Sequence, residues 1–189
     1  MARPLSEEKR KAILASAAAL VAAQGTGAPT AKIAADAGVA EGTLFTYFAN
    51  KDELLNQLFL DIEADLAKTM LDSYPADAAP RARVKYMWDR FLDWGAANPT
   101  RRKALRQLKV SDRVSRESKK RGEALFRDMK AKLEETLAGH VDPERASFYI
   151  GVVLDGLFES TLEAIAASPK DHERFKNAGF DVFWKGIAR

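Results

Sequence analysis

Hydrophobic residues recur at helical spacing along almost the whole chain, and no stretch shows the strict alternation that is typical of a half-buried strand. The clearest run predicts a helix over residues 52–71, with apolar positions at Leu54, Leu55, Leu58, Phe59, Ile62, Leu66 and Met70. Beyond it we expect further helices near 81–97, 101–116, 118–138, 143–167 and 171–187, and prolines lie at every boundary between them except the one at 116–118. With three shorter helices ahead of residue 52, the pattern predicts an all-α fold of about nine helices.

Residues 30–48 have the pattern of two short helices joined by a tight turn. Thr30 can cap the first helix with its hydroxyl, and Gly38 ends it because glycine adopts positive φ without steric cost. In the second helix, Leu44 and Phe48 lie four residues apart and provide one apolar side. Outward-pointing hydroxyls are then left at Thr43, Thr46 and Tyr47. This arrangement is typical of a helix-turn-helix, whose second helix lies in the major groove of DNA.

An ordinary helical corner, with Phe45 and Tyr47 in a core, explains the same spacing from the pattern alone. Residues 34–55, however, read AADAGVAEGTLFTYFANKDELL, and they resemble the A-x-x-A-G-V-x-x-G-T-L-F-x-Y-F-x-N-K-D-E-L-L signature of the TetR family of bacterial repressors. The likeness extends over about the first quarter of the chain. It implies an amino-terminal three-helix DNA-binding domain, residues 1–51, and a helical domain that binds an effector and forms a homodimer, residues 52–189.

The resemblance also implies DNA contacts for individual residues. Thr30 and Lys32 would touch backbone phosphates, and Lys51 would hold another phosphate at the start of the following helix, where the helix dipole adds positive potential. The residues that would face the groove are Thr43, Phe45, Thr46 and Tyr47. Glu41 departs from the family, in which a neutral polar residue is more usual. Phosphates repel a carboxylate there unless it accepts from a cytosine amino group or pairs with a lysine, and both roles stay open.

The last two predicted helices carry more apolar surface than one small bundle needs. The resemblance implies that they pack against their symmetry mates as a four-helix bundle, which places two recognition helices on a palindromic operator. The expected interface residues are Ile150, Leu154, Leu157, Thr161, Phe180, Phe183, Trp184 and Ile187. Burial of the same side chains inside one monomer is the competing interpretation.

The middle of the chain offers a candidate pocket for a small-molecule effector, because large apolar side chains cluster on one predicted helix and can be faced from others. The candidate lining residues are Met87, Phe91, Trp94, Leu108, Phe126, Phe148, Asp155 and Phe158. A plain core gives the same aromatic stripe at helical spacing. Asp155 interrupts an apolar run, so we expect a buried carboxylate whose partner is a cationic or hydroxylated effector or an arginine across the dimer.

The formal net charge of +3 is small for a DNA-binding protein, and its distribution is uneven. Residues 1–51 hold six Lys or Arg against four acids. Four of the cations near the amino end are Arg3, Lys9, Arg10 and Lys11. They fit equally well a basic arm that lies beside the DNA groove or a solvated tail. Residues 101–132 hold thirteen Lys or Arg against four acids, which we interpret as a solvated surface or an attractor for an anionic effector. That segment is far in sequence from the motif and need not touch DNA.

Enzyme chemistry and metal binding find little support in the sequence. There are no cysteines, and His140 and His172 lack the spacing that places metal ligands on one helical face. No glycine-rich phosphate loop follows a strand, so neither a cofactor nor a catalytic residue is predicted. No run approaches the roughly 20 apolar residues that span a bilayer, and we expect a cytoplasmic protein with no membrane partner. The alternatives to a DNA-binding repressor are an adaptor whose head does not bind DNA and, with least support, a small helical enzyme.

Overall fold

The computed structural model describes residues 5–187. The predicted all-α fold is confirmed, because 80% of the structure is helical and the described residues form no strand. None of the helices among the described residues is both long enough and apolar enough to cross a membrane. In chain order they are α1 (Glu7–Gln24), α2 (Thr30–Asp36), α3 (Glu41–Tyr47), α4 (Lys51–Leu71), α5 (Pro80–Ala97), α6 (Pro99–Lys109), α7 (Arg116–Leu125), α8 (Arg127–Leu137), α9 (Pro143–Phe148), α10 (Leu154–Ala167) and α11 (His172–Ile187).

Three details differ from the helices that the hydrophobic pattern predicts. Helix α6 ends at Lys109, and the Ser115 Oγ accepts from the Ser118 backbone N–H at 3.1 Å, which favours a new helix start there. Instead of one helix over 118–138 there are two, because Phe126 has φ −97° and ψ 2° and interrupts the helical geometry. A π-helical segment, Tyr149–Val153, joins α9 to α10 without a break.

The described residues form two compact units. Unit one contains the chain up to Ala64 together with Pro99–Ala124, and unit two contains Asp65–Asn98 together with the chain from Leu125 onward. This division differs from the sequence-based boundary after residue 51, because α6 packs against α1 and so joins the amino-terminal helices. The buried side of α6 consists of Ala104, Leu105 and Leu108. A functional boundary at residue 51 remains a prediction.

Unit one buries the apolar face of α1 together with residues of α2, α3 and α4. At the start of α1 the Ser6 Oγ accepts from the Lys9 N–H at 3.4 Å, and the negative side chains of Glu7 and Glu8 follow in the first turn, where they favour the helix dipole. The buried side chains include Ile13, Leu14, Ala17, Val21, Ile33, Leu44, Phe48, Leu54, Leu55 and Leu58. This core is what fixes α3, because a seven-residue helix is not stable by itself in water.

The turn between α2 and α3 has the geometry that its glycine predicts. Gly38 has a φ of 69°, and the Val39 N–H donates to the Ala34 carbonyl at 2.9 Å, which closes the end of α2. The predicted capping role of Thr30 is wrong, because Pro29 occupies the N-cap position and no side chain makes a capping hydrogen bond there. The Thr30 hydroxyl donates to Glu41 of α3 instead.

Unit two is organised around Trp88 of α5. Its indole ring stacks on Phe158 at a centroid distance of 4.9 Å, and its Nε1 donates to the Lys176 carbonyl of α11 at 2.8 Å. Helix α11 comes close because position 179 is glycine: a Cβ there would lie 2.6 Å from the Thr161 Oγ1 and 2.7 Å from the indole Cζ2. Thus α5, α10 and α11 meet around one buried tryptophan.

Candidate nucleic-acid interface

The two sides of α3 differ in burial as the apolar spacing predicts. Leu44 and Phe48 are 0% and 1% exposed, so they anchor the helix in the core of unit one. Phe45 is 41% exposed, Thr46 is also exposed, and Thr43 is half-buried. The alternative interpretation, a helical corner with Phe45 in a core, is therefore wrong for this side chain. The exposed side of α3 offers an aromatic ring and hydroxyls to a partner.

The hydroxyls near α3 are already partly engaged within the protein. The Thr46 Oγ1 donates to the Gly42 carbonyl at 3.1 Å, which leaves the oxygen lone pairs as acceptors. The Tyr47 hydroxyl does not point freely outward, because it accepts from the Ser6 backbone N–H at 3.0 Å. Tyr47 therefore connects the end of α3 to the start of α1. Its own O–H proton is still a donor for an outside acceptor such as a phosphate.

Glu41, the residue that departs from the family pattern, accepts a hydrogen bond from within the same unit. Its Oε1 accepts a hydrogen bond from the Thr30 Oγ1 at 2.7 Å, and both side chains are at the surface. The carboxylate also lies in the first turn of α3, where the helix dipole favours a negative charge. This bond joins the starts of α2 and α3 and gives Glu41 a structural partner that sequence reasoning did not consider.

Lys51 begins α4 and is half-buried. Burial is the largest effect on its ammonium and lowers the pKa, the positive charge of Arg113 lowers the pKa further, and the Asp52 carboxylate acts in the opposite direction. Arg113 itself donates from Nη1 to the Asp52 Oδ1 at 2.8 Å. Sequence reasoning missed Arg113 because it lies far along the chain, although the excess of basic residues over 101–132 was a signal.

The proposed basic arm is only partly realised. Lys9, Lys11 and the DNA-contact candidate Lys32 are exposed. Arg10 instead packs on unit one: its guanidinium lies 5.9 Å from the centre of the Phe48 ring and donates to the Gln57 Oε1 at 3.3 Å. Arg3 lies outside the described residues.

The eight candidate pocket residues do not form one lining within a unit. In unit two, Phe91 stacks on Phe158 at 4.0 Å, Met87 is buried, and Trp94 donates to the Asp65 Oδ2 at 2.9 Å. Phe126 is half-buried, whereas Leu108 is buried in unit one. The pocket expectation for Phe148 is wrong, because its side chain is 55% exposed, and Asp155 is exposed in the single chain instead of buried. The pairing of Asp155 with an effector or with an arginine across the dimer stays a prediction.

Most of the expected dimer residues are covered within one chain. Phe180, Phe183 and Ile187 are buried in unit two, so they are part of its core and not of a free face. Ile150, Leu154 and Thr161 are also buried, while Leu157 and Trp184 are half-buried. The outer side of α10 and α11 carries a shallow groove that is lined by Ser160, Thr161, Ala164, Phe175, Ala178, Gly179 and Val182.

A cluster of possible metal ligands, Asp93, His172 and Glu173, lies at the surface of unit two. The Lys176 ammonium lies inside it, 2.9 Å from the Asp93 Oδ1 and 2.8 Å from the Glu173 Oε1. The hydrogen bond from Lys176 lowers the pKa of Glu173. Burial lowers the pKa of Lys176, but the hydrogen bonds of its ammonium to the two carboxylates outweigh burial and raise the pKa. The arrangement is an ion-pair network around a lysine.

The exposed helix α3 lies in a part of the chain whose sequence matches a known protein family. A family model described as bacterial regulatory proteins, tetR family, matches residues 13–58, which include α2, α3 and the start of α4. The nucleoid occlusion factor SlmA of Pasteurella multocida (strain Pm70) is 33% identical over 70 residues. That match spans 37% of this chain and 35% of the length of that relative.

Solved structures match over almost the whole chain. A structure described as a tetR family transcription regulator from Shewanella sp. PV-4 aligns with a TM-score of 0.81 and 25% identity, covering 96% of this chain and 98% of that chain. The transcriptional regulator FadR from Bacillus subtilis, in complex with stearoyl-CoA, aligns with a TM-score of 0.72 and 17% identity, covering 94% of this chain and 99% of that chain. The second likeness concerns the fold alone.

Proposed function

We propose that this chain, which belongs to the TetR family of bacterial regulatory proteins, represses transcription by binding a palindromic operator as a homodimer and is released by a small-molecule effector. The function of a DNA-binding transcription regulator is supported by the matched family region and by the fold. Repression, the operator contacts, dimerisation and effector release are the proposal.

The observation that carries the proposal is the division of α3 into a buried and an exposed side. Leu44 and Phe48 hold the helix, while Phe45 and Thr46 remain at the surface. In a major groove, an aromatic ring can contact a thymine methyl group and a threonine hydroxyl can bond to a base edge. Thr43 would join them, and the phosphate contacts that we propose are Lys32, Tyr47, Lys51 and the backbone N–H of Thr30, whose hydroxyl already donates to Glu41.

The proposed dimer forms through the outer side of α10 and α11. Val182 is 61% exposed there, beside the small side chains of Ala178 and Ala164. Small residues let two helices approach closely, and a twofold axis repeats the same patch on both partners. This surface replaces the core residues Phe180, Phe183 and Ile187 that the sequence suggested. Symmetry would then present two α3 helices to two half-sites.

We propose that the effector binds in unit two, among Met87, Phe91 and Phe158. The half-buried Phe91 ring stacks on the buried Phe158 at 4.0 Å, so an effector would separate apolar side chains there, and an acyl chain is the kind of ligand that suits such a site. The stearoyl-CoA complex of FadR supports this choice in a protein of the same fold. An effector that binds better to the conformation with low operator affinity shifts the population, and a coupling of about 1 to 3 kcal/mol weakens operator binding roughly 5- to 150-fold.

Selection of bound duplexes from a random DNA pool tests the function directly. We expect the full chain to enrich an inverted repeat, since a symmetric dimer reads the same half-site twice. A Thr46→Ala variant should change the preferred half-site, because base-edge contacts carry specificity, whereas a Lys32→Gln variant should weaken binding to all duplexes about equally.

The alternatives predict different results from the same selection. A folded chain that enriches no duplex, with affinity independent of salt, would support the non-DNA-binding adaptor. Adding stearoyl-CoA to the bound complex tests the effector class: release at low acyl thioester concentration supports an apolar effector, and unchanged binding contradicts it.

A further inference from the structure

The loop between α6 and α7, residues 110–115, is fixed against the start of α4. The Asn56 side chain bonds to the loop twice: its Nδ2 donates to the Arg113 carbonyl at 3.0 Å, and its Oδ1 accepts from the Ser115 N–H at 2.9 Å. The Arg113 Nη1 adds a third link to the Asp52 Oδ1 at 2.8 Å. All these residues belong to unit one, so the loop is part of the same unit as α3.

The loop is also held from within. Val114 is buried, and the Ser111 Oγ accepts from the Arg113 N–H at 3.2 Å. The Lys119 ammonium donates to the Ser111 carbonyl at 3.2 Å. These contacts fix the backbone of Arg113, while its side chain remains 47% exposed. The guanidinium therefore has a defined position at the surface next to Lys51.

The charge distribution gives this segment a role in the amino-terminal unit. Residues 1–64 contain six Lys or Arg against eight acids, which is a net negative balance. Residues 99–124 contain ten Lys or Arg against three acids. Because α6 and most of α7 belong to unit one, they make this unit positive overall. The attraction that a DNA polyanion requires thus comes from a segment distant in sequence.

Lys51 and Arg113 are like charges at neighbouring positions, and the charge of Arg113 disfavours the charged form of Lys51 in the free protein. Burial first and Arg113 second lower the pKa of Lys51. Two cations that the fold holds together are stabilised when an anion lies between or beside them. The Asp52 carboxylate supplies one such anion in the free protein, and a backbone phosphate of DNA would supply a second.

We propose that Arg113 binds a DNA backbone phosphate beside the phosphate held by Lys51, so that the operator-binding surface extends beyond the helix-turn-helix to the α6–α7 loop. This inference rests on the proposed DNA-binding function. The guanidinium has five N–H donors, so it can keep a bond to Asp52 and also donate to a phosphate. An exposed Arg–Asp pair is weak, and a phosphate competes for it readily.

The salt dependence of DNA binding tests the proposal. The full chain and an Arg113→Gln variant are titrated with a random-sequence duplex between about 0.05 and 0.2 M salt. Each lost phosphate contact should reduce the slope of log K against log salt by about 0.9, and binding at 0.1 M salt should weaken about eightfold for each head. An Arg113→Lys variant, which keeps the charge, should retain most of the slope.

Arg81→Gln is the matched control. Arg81 also forms an exposed ion pair at 2.9 Å, with Asp181 of unit two, and its loss removes the same charge. We expect the slope to remain unchanged for this variant. An Asp52→Asn variant should strengthen binding, because it removes a carboxylate that competes with the phosphate.

The outcomes separate this inference from the proposed function. If Arg113→Gln lowers thermal stability but leaves the salt slope of the full chain unchanged, Arg113 only fixes the loop and the inference is wrong. If the unmodified chain binds no duplex at any salt concentration, the DNA-binding function itself is wrong. A parallel loss of slope in Arg81→Gln would also overturn the inference, since net charge alone would explain the effect.

Discussion

Phe45 and Phe48 are three residues apart on the α3 segment and have opposite surroundings. The Phe48 ring is 1% exposed and has the Arg10 guanidinium 5.9 Å from its centre, whereas Phe45 is 41% exposed. The sequence pattern assigned Phe48 to the apolar side through its i, i+4 partner Leu44. It left Phe45 open between a core and a DNA contact, because an aromatic residue suits both.

Alanine substitution should separate the roles of the two rings. Phe48→Ala should lower the free energy of unfolding by about 3 to 5 kcal/mol, because it leaves a cavity in the core of unit one. Phe45→Ala should change that free energy by less than about 0.5 kcal/mol, as is usual for a surface substitution, while it weakens DNA binding. Chemical denaturation and duplex titration of both variants measure this; equal destabilisation would contradict the division.

Glu41 shows how a residue can depart from a family pattern without losing a partner. From the sequence, its carboxylate had two open roles, with a cytosine amino group or with a lysine. The structure gives it the Thr30 hydroxyl at 2.7 Å, a short-range contact between two helix starts. No periodicity indicates such a bond, because it depends on how the turn at Gly38 brings α2 and α3 together.

At the scale of elements, the hydrophobic pattern predicted most helices. It failed where local hydrogen bonds and backbone geometry determine the end of one helix and the start of the next. The long α4 and the last two helices agree with their apolar spacing. The loop at 110–115 and the break at Phe126 were missed, since Ser115 forms a helix start and the Phe126 backbone leaves the helical region. The apolar residues in these segments keep helical spacing across the breaks, so the pattern alone does not reveal them.

Two glycines of unit two test how closely its helices pack. A Cβ at Gly179 would meet the rigid indole of Trp88 at 2.7 Å, whereas a Cβ at Gly95 would meet the flexible methyl groups of Leu162 at 2.8 Å. Gly179→Ala should therefore lower the free energy of unfolding, because overpacking against the indole costs about 1 to 3 kcal/mol and outweighs the gain of about 1 kcal/mol in helix propensity. In Gly95→Ala, the leucine can move, and the gain of about 1 kcal/mol in helix propensity offsets the clash.

Thermal or denaturant unfolding of the two variants measures this difference. If Gly95→Ala lowered the free energy of unfolding as much as Gly179→Ala or more, the rigid indole would not be the cause of the destabilisation. The near-ultraviolet circular dichroism of the three tryptophans, which includes the signal of Trp88, provides an independent measurement that should change in Gly179→Ala and stay similar in Gly95→Ala.

At the scale of the whole molecule, the proposed repressor requires a second copy of the chain. Val182 is 61% exposed on the outer side of α11, at the groove shared with α10. Val182→Lys should shift the protein toward the monomer, because twofold symmetry places the charge twice in one apolar contact. Sedimentation at micromolar concentration measures the result.

Val110→Lys is the control for this substitution. Val110 is 81% exposed but lies in the α6–α7 loop. This loop belongs to unit one, whereas the groove on α10 and α11 belongs to unit two. This variant should sediment like the unmodified chain. If both variants remain dimers, the outer side of α11 is not the interface; if the unmodified chain is a monomer, the two-headed mechanism is wrong.

By itself, the sequence determined the all-α fold, the resemblance of the first quarter to the TetR family, and the buried side of α3 with Leu44 and Phe48, because these depend on residues close together in the chain. The tertiary structure alone decided that α6 and the loop at 110–115 belong with the amino-terminal helices, and that Phe180 and Phe183 are buried within one chain. An apolar stripe shows that a face will be covered, but not by which element. The covering element is chosen by packing between segments distant in the chain, which local pattern does not contain.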